Sequence, residues 1–219
     1  MTDMRLKCPF TMVVASSAGS GKTTFVKKML TTKRTLYNKR SGVVYYFYNQ
    51  WQPLFDEMKE SGLVDHFIQG NCDMDWLRGT CPSNPNATII LDDLQLHLSA
   101  DNAELFSVGA RHLNCNVIIL CQNLFGKNKY FRDISLNATY VVLFRNPRNS
   151  SSVGHFARQF APNNSKYVVN AFSHATEQPW TYLFIDLHQE TPSHLRIRAN
   201  ILGENDAPLR VYTEKNSTI

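Results

Sequence analysis

Apolar residues along this chain gather into short, nearly continuous runs, separated by longer stretches in which apolar positions recur every three or four residues. "FTMVVAS" (10–16), "GVVYYFYN" (42–49), "TIILDDL" (88–94), "NVIILCQN" (116–123) and "TYVVLFRN" (139–146) have the length and β-branched or aromatic content of strands buried on both faces. Between them the periodicity predicts helices over 22–33, 53–61, 101–112, 128–136 and 150–160, then a helical stretch over 164–174. "FIQG" near 68 reads as a short edge strand. "GTCPSNPNA" (79–87) reads as a loop, because Pro82, Pro85 and the Asn and Ser residues resist regular structure. "WTYLFIDLH" (180–188) and "LRIRANIL" (195–202) read as two strands joined through "QETPS" and paired antiparallel. The tail after 203 has little pattern.

Short apolar strands alternating with helices predict an α/β domain of three layers, a mainly parallel sheet covered on both faces. One unit is expected over 1–219, with its core at about 10–202, since 219 residues at 43% hydrophobic content suffice for one substantial core. The longest apolar runs, "VVYYFY" and "VIILC", are far shorter than the ~20 residues of a bilayer span. The first ten residues place an acid and two bases ahead of any apolar stretch, without a small-residue cleavage site. No signal peptide is therefore expected, and an intracellular chain is, in cytosol or nucleus. Five cysteines without a C-x-x-C pair read as reduced, buried thiols, and the seven histidines show no metal-ligand spacing.

The net charge of +5 changes the picture only through its distribution. Residues 27–40, "KKMLTTKRTLYNKR", hold six bases and no acid, a stretch able to contact a phosphate backbone or to be a solvated helix end.

The chemistry lies at 13–30, "VVASSAGSGKTTFVKKML", where a buried strand passes through small residues into a basic helix. The spacing is that of a phosphate-binding loop, G-x-x-x-x-G-K-[ST], with Ser16 in place of the first glycine. Ser17, Ala18, Gly19, Ser20, Gly21, Lys22, Thr23 and Thr24 form the candidate cradle. Small residues let successive backbone N–H groups turn inward around a β-phosphate, at the positive end of the helix. Lys22 reaches the β- and γ-phosphates, and the Thr23 hydroxyl is placed to ligate Mg²⁺. "TIILDDL" supplies the partner strand: Asp92 to hold Mg²⁺, Asp93 to face the attacking water as base or orienter. Gln122, after "VIILC", stands where an amide contacts the γ-phosphate or that water, with Asn123 beside it.

These stretches together, "SSAGSGKTT" (16–24), "IILDDL" (89–94), "GARHLNCNVIILCQNLF" (109–125) and "TYVVLFRNPRN" (139–149), resemble the FtsK/HerA superfamily. The likeness is closer to the genome-packaging ATPases of poxvirus-like and virophage-like DNA viruses and Polinton-type elements, and runs over about residues 10–190. It implies a P-loop NTPase fold of the RecA-like (ASCE) kind with antiparallel C-terminal edge strands. It also implies an ATP- and Mg²⁺-dependent ring motor that threads double-stranded DNA into a capsid, with possible capsid or portal contacts and no membrane partner. It maps Lys22 and Thr23 to phosphate and magnesium, Asp92 and Asp93 to the Walker B pair, and Gln122 to the sensor. Arg111 or Arg145 becomes the finger that reaches a neighbouring subunit's site. Asp93 departs from the superfamily, which more often has glutamate there. Three other readings stay open at this stage: a nucleoside or nucleotide kinase using "FRNPRN" as a lid, a viral replicative helicase with Asn123 as sensor, and an ATP-binding scaffold without turnover.

Overall fold

The chain places most of its apolar runs in one sheet. The computed structural model describes residues 3–94, 97–123, 128–146, 151–203 and 207–214. The strands are β1 (Thr11–Ala15), β2 (Val44–Tyr48), β3 (His66–Gln69), β4 (Thr88–Asp92), β5 (Asn116–Cys121), β6 (Tyr140–Phe144), β7 (Tyr182–Asp186), β8 (Ile197–Ala199) and β9 (Arg210–Tyr212). Their order is β3-β2-β4-β5-β1-β6-β7-β8-β9. The first six are parallel, and β7, β8 and β9 extend the sheet antiparallel. Every residue of β1, β4, β5 and β6 is buried, as their unbroken apolar sequences require.

Alternation along each strand divides the core in two. Met12 and Val14 of β1 join Ile90 and Ile118 on one face, against Phe25, Val26, Met29 and Leu30 of α1 (Lys22–Thr31) and Phe55 and Met58 of α3 (Pro53–Glu60). Val13 and Ala15 join Ile89, Leu91 and Ile119 on the other. That face is covered by α4 (Met74–Thr80), the helix 100–112, α7 (Lys129–Leu136), α8 (Ser151–Phe160) and α9 (Ser165–Ala175). Three layers result, as the pattern predicted.

Four departures from the sequence reading have local causes. The loop expected over 79–87 begins as the end of α4, followed by a 3₁₀ turn at Cys81–Ser83. Asp73 caps that helix by accepting from Trp76 N at 2.7 Å, while Met74, Leu77 and Cys81 are buried, and Pro82 lies in the first turn, where a missing N–H does no harm. The helix expected over 22–33 ends at Thr31, and Lys33–Leu36 forms a separate turn, α2. Thr32 Oγ1 bonds back to Lys28 O at 3.0 Å, a contact that competes with helix continuation. The helix expected over 101–112 is α5 (Ala100–Glu104) and α6 (Ala110–His112) joined by a π-turn at Leu105–Gly109. The tail contributes β9, held by pairing Val211 with Arg198.

All five cysteines are buried and free, and burial pushes the Cys72 and Cys121 thiols up to about 12. A buried ion pair of Arg198 with Asp186 ties β8 to β7, and Arg198 Nη1 also donates to Met4 O at 2.9 Å. Among the described residues, no helix is long and apolar enough to cross a membrane.

Candidate active site

Parallel strands set their carboxyl ends at one edge, and the candidate residues collect there. Ala15 pairs with Cys121 and Asp92 with Leu120, so Ser16, Asp93 and Gln122 all emerge at one level. β5 lies between β1 and β4, so Asp92 reaches the loop across one intervening strand rather than from the strand beside it.

The loop turns on two glycines, Gly19 at φ 74° and Gly21 at φ 95°. Both values fall where a Cβ is disfavoured. Ser16 has no positive φ, so its position makes no demand that only glycine meets, and its hydroxyl is bonded to that of Ser20. Ser20 Oγ in turn donates to Ser17 O at 2.6 Å. Gly21 is the N-cap of α1 and supplies no side-chain cap, and the first turn carries no acid. The amides there are left to an anion, favoured by the dipole of a ten-residue helix.

Lys22 Nζ donates to Ser16 O at 2.9 Å and Ser17 O at 3.0 Å, folded back over the loop. Burial pushes its ammonium below the usual lysine range, opposed by Cys121, Asp92 and Asp93. Asp92 is 3% exposed, and burial, reinforced by Asp93, raises its carboxyl above the ordinary range against the pull of Tyr46 and Lys22. The Tyr46 hydroxyl donates to Asp92 Oδ2 at 2.7 Å and also engages the Thr23 side chain. One buried tyrosine thus touches both candidate magnesium ligands, a contact that the sequence reading missed. Asp93 is exposed at φ 54°, and its Oδ1 accepts from Gln122 Nε2 at 3.2 Å. Asp is among the few residues that take this backbone readily, which gives a physical reason for aspartate where glutamate would be strained.

Ala18 to Phe25, Lys28, Gln52, Leu54, Asp92, Asp93, Gln122, Phe144, Trp180 and Tyr182 enclose a cleft of about 600 Å³, within the size range of small-ligand sites. Thr23 and Asp92 offer hard oxygen donors that suit Mg²⁺, which keeps most of its shell as water and phosphate. No cluster of three or more His, Cys, Asp or Glu able to hold a metal occurs among the described residues.

The arginines lie apart from this cleft. Arg145 follows β6 at the same edge but lines an adjoining cavity of about 520 Å³, shared with Ser16, Gln122 and Asn123. Arg111 precedes β5 and lies within electrostatic reach of His188, beyond the far end of β7. It therefore sits at the opposite edge of the sheet from its own phosphate loop. The basic stretch is also split: Lys28 lines the cleft, Lys27 pairs with Glu57, and residues 36–38 bond to Leu6 and Cys8 at the amino edge. The ends of two resemblance stretches, at 124–125 and 147–149, lie outside the described residues.

No family model and no curated protein matches the sequence. Solved structures do match the fold. The genome packaging NTPase B204 from Sulfolobus turreted icosahedral virus 2 matches in its sulfate complex with a TM-score of 0.59 and 12% identity, over 87% of this chain and 95% of that one. Its complex with ATP-gammaS gives 0.56 and 12%, over 87% and 96%. The cytoplasmic domain of the type VII secretion ATPase EccC from Thermomonospora curvata gives 0.50 and 13%, over 94% of this chain but 26% of that one. The chain therefore shares the P-loop fold of a viral packaging NTPase along nearly the whole length of both.

Proposed function

We propose that the chain is an ATP-hydrolysing motor of the FtsK/HerA type that translocates double-stranded DNA, packaging a viral or Polinton-like genome. The observation that carries the reading is the convergence of a phosphate loop, a buried and an exposed aspartate, and a glutamine at one sheet edge. A fold shared over 87% of this chain and 96% of a protein named as a genome packaging NTPase supports the packaging role.

The loop amides and the α1 terminus hold the β-phosphate. Lys22 exchanges its bonds to Ser16 O and Ser17 O for phosphate oxygens, so the loop already holds the cation beside its target. Gln122 and Asp93 face the γ-phosphate side as a bonded pair, and Asp93 takes the proton of the attacking water at a carboxylate oxygen while Gln122 orients that water. Mg²⁺, held by Thr23 and Asp92, supplies charge neutralisation on the phosphates when bound.

Arg111 lies at the sheet edge opposite its own cleft and is assigned to a neighbour's γ-phosphate in a homo-oligomeric ring, with Arg145 as the alternative finger. Residues 33–40, remote from the cleft, are assigned to DNA phosphates, and a capsid or portal protein to the outer face of the ring.

Phosphate release with and without double-stranded DNA tests the proposal. A motor hydrolyses ATP alone and faster with DNA. A kinase releases little phosphate until a nucleoside acceptor is added, and a scaffold binds ATP without releasing any.

A further inference from the structure

One aromatic side chain at the cleft stands mostly in solvent. Trp180 is 71% exposed, the highest value for a large apolar residue among those described. Its backbone sits at φ 62°, a conformation that a bulky side chain rarely adopts and that surroundings must enforce. The enforcement is visible: Thr181 Oγ1 donates to Gln178 O at 2.7 Å, and Tyr182 pairs with Phe144 at the carboxyl end of β6. Beneath, Tyr182 meets Phe25 edge-on at 4.8 Å and Phe144 at 5.4 Å, a packed base for the turn.

The strained turn delivers the indole to the phosphate loop. A Cβ placed on Gly21 would lie 3.4 Å from Trp180 Cδ1 and 3.7 Å from Trp180 Cβ, so the indole stands beside the loop's second glycine with little more than a methyl group's room between them. The other aromatics that line the cleft, Phe25, Phe144 and Tyr182, are 2%, 4% and 2% exposed, and none has a ring face free for a ligand. A nucleotide gripped through its phosphates at Gly19–Thr24 carries its base beyond them, and Trp180 is the exposed aromatic at that rim.

Resting on the reading of the cleft as an ATP site, we propose that Trp180 is the stacking platform for the purine base. The turn sets the indole at the rim before the ligand arrives, and a rigid aromatic side chain has little freedom to lose on binding. Base–aromatic stacking removed by alanine substitution weakens binding by about 5- to 150-fold.

The test compares two ligands by calorimetry at fixed Mg²⁺: ATP, and inorganic tripolyphosphate, which has the phosphates but no base. Trp180→Ala is expected to weaken ATP by about 5- to 150-fold and leave tripolyphosphate unchanged, with Trp180→Phe recovering most of the loss. Equal losses for both ligands, as a distorted loop or a lost subunit contact would give, or no loss for ATP, would overturn the proposal. A wild-type chain that binds neither ligand would instead overturn the ATP-site reading itself.

Discussion

Replacing Asp93 by asparagine separates hydrolysis from every other property of the site. The residue is exposed and its backbone lies at φ 54°, a region that asparagine tolerates at least as well as aspartate. Asparagine also keeps an oxygen for Gln122 Nε2, which now donates to Oδ1 at 3.2 Å. Folding stability should therefore change by no more than about 0.5 kcal/mol. Nucleotide affinity should hold or tighten modestly, because one anion fewer faces the polyphosphate. What disappears is the proposed proton acceptor. A positioned general base contributes about 10²- to 10⁴-fold, or roughly 2.7 to 5.4 kcal/mol of barrier, and Asp93→Asn should lose turnover by that factor. Single-turnover phosphate release, measured beside ATP affinity, reads both quantities. Turnover within threefold of wild type at unchanged affinity refutes the assignment. Lost binding with normal residual turnover would mean that Asp92 and Asp93 have been given each other's roles. Asp93→Glu introduces the residue more usual in the superfamily that the sequence resembles but costs about 1–2 kcal/mol of backbone strain, so it should not raise turnover.

Tyr46→Phe removes the hydroxyl from Asp92 Oδ2, a bond to a carboxylate valued at about 1.5–3 kcal/mol. Denaturant midpoints without divalent ion should fall accordingly, and ATP binding should need more Mg²⁺; an unchanged Mg²⁺ titration would make Tyr46 a packing residue only. Arg198→Ala leaves Asp186 charged and buried, so denaturation should show a loss of about 3–5 kcal/mol, largely recovered when Asp186 is also made leucine. A loss below 1 kcal/mol would show that the pair is open to water. Arg111→Ala should bind ATP yet be nearly inactive, and mixing it with Lys22→Ala should restore part of the phosphate release at interfaces that join the intact halves. Arg145→Ala is the parallel case, and two assembled variants that both fail to recover would end the shared-site mechanism.

The phosphate loop, the Asp92–Asp93 strand end and Gln122 were legible because each requires a fixed spacing on a recognisable strand. So was the sheet, since fully buried strands are written as unbroken apolar runs such as "TIILD" and "NVIILC". Tyr46 was hidden for the same reason. In "VYYFY" every residue looks like core, and only the β2–β4 pairing, which sets Tyr48 beside Asp92, reveals which hydroxyl turns toward the site. Trp180 reads in the sequence as the start of a strand, because a positive φ on a tryptophan leaves no trace in composition. The resemblance names Arg111 as a candidate finger, but a residue number does not say at which end of the sheet it lies, and it lies at the end away from the phosphate loop. The helix 74–80 was masked by the Pro- and Asn-rich stretch that follows it, although Asp73 is an N-cap in plain view.

The central claim is that one cleft binds ATP through the loop and breaks it at the two aspartates, and Lys22 is where that claim is most exposed. Lys22→Ala keeps the loop amides and removes the cation now stored on Ser16 O and Ser17 O. Phosphate release by the wild-type chain, abolished in a folded Lys22→Ala variant whose denaturation midpoint is near wild type, is the predicted result. Equal ATP binding and equal phosphate release from both proteins would contradict it.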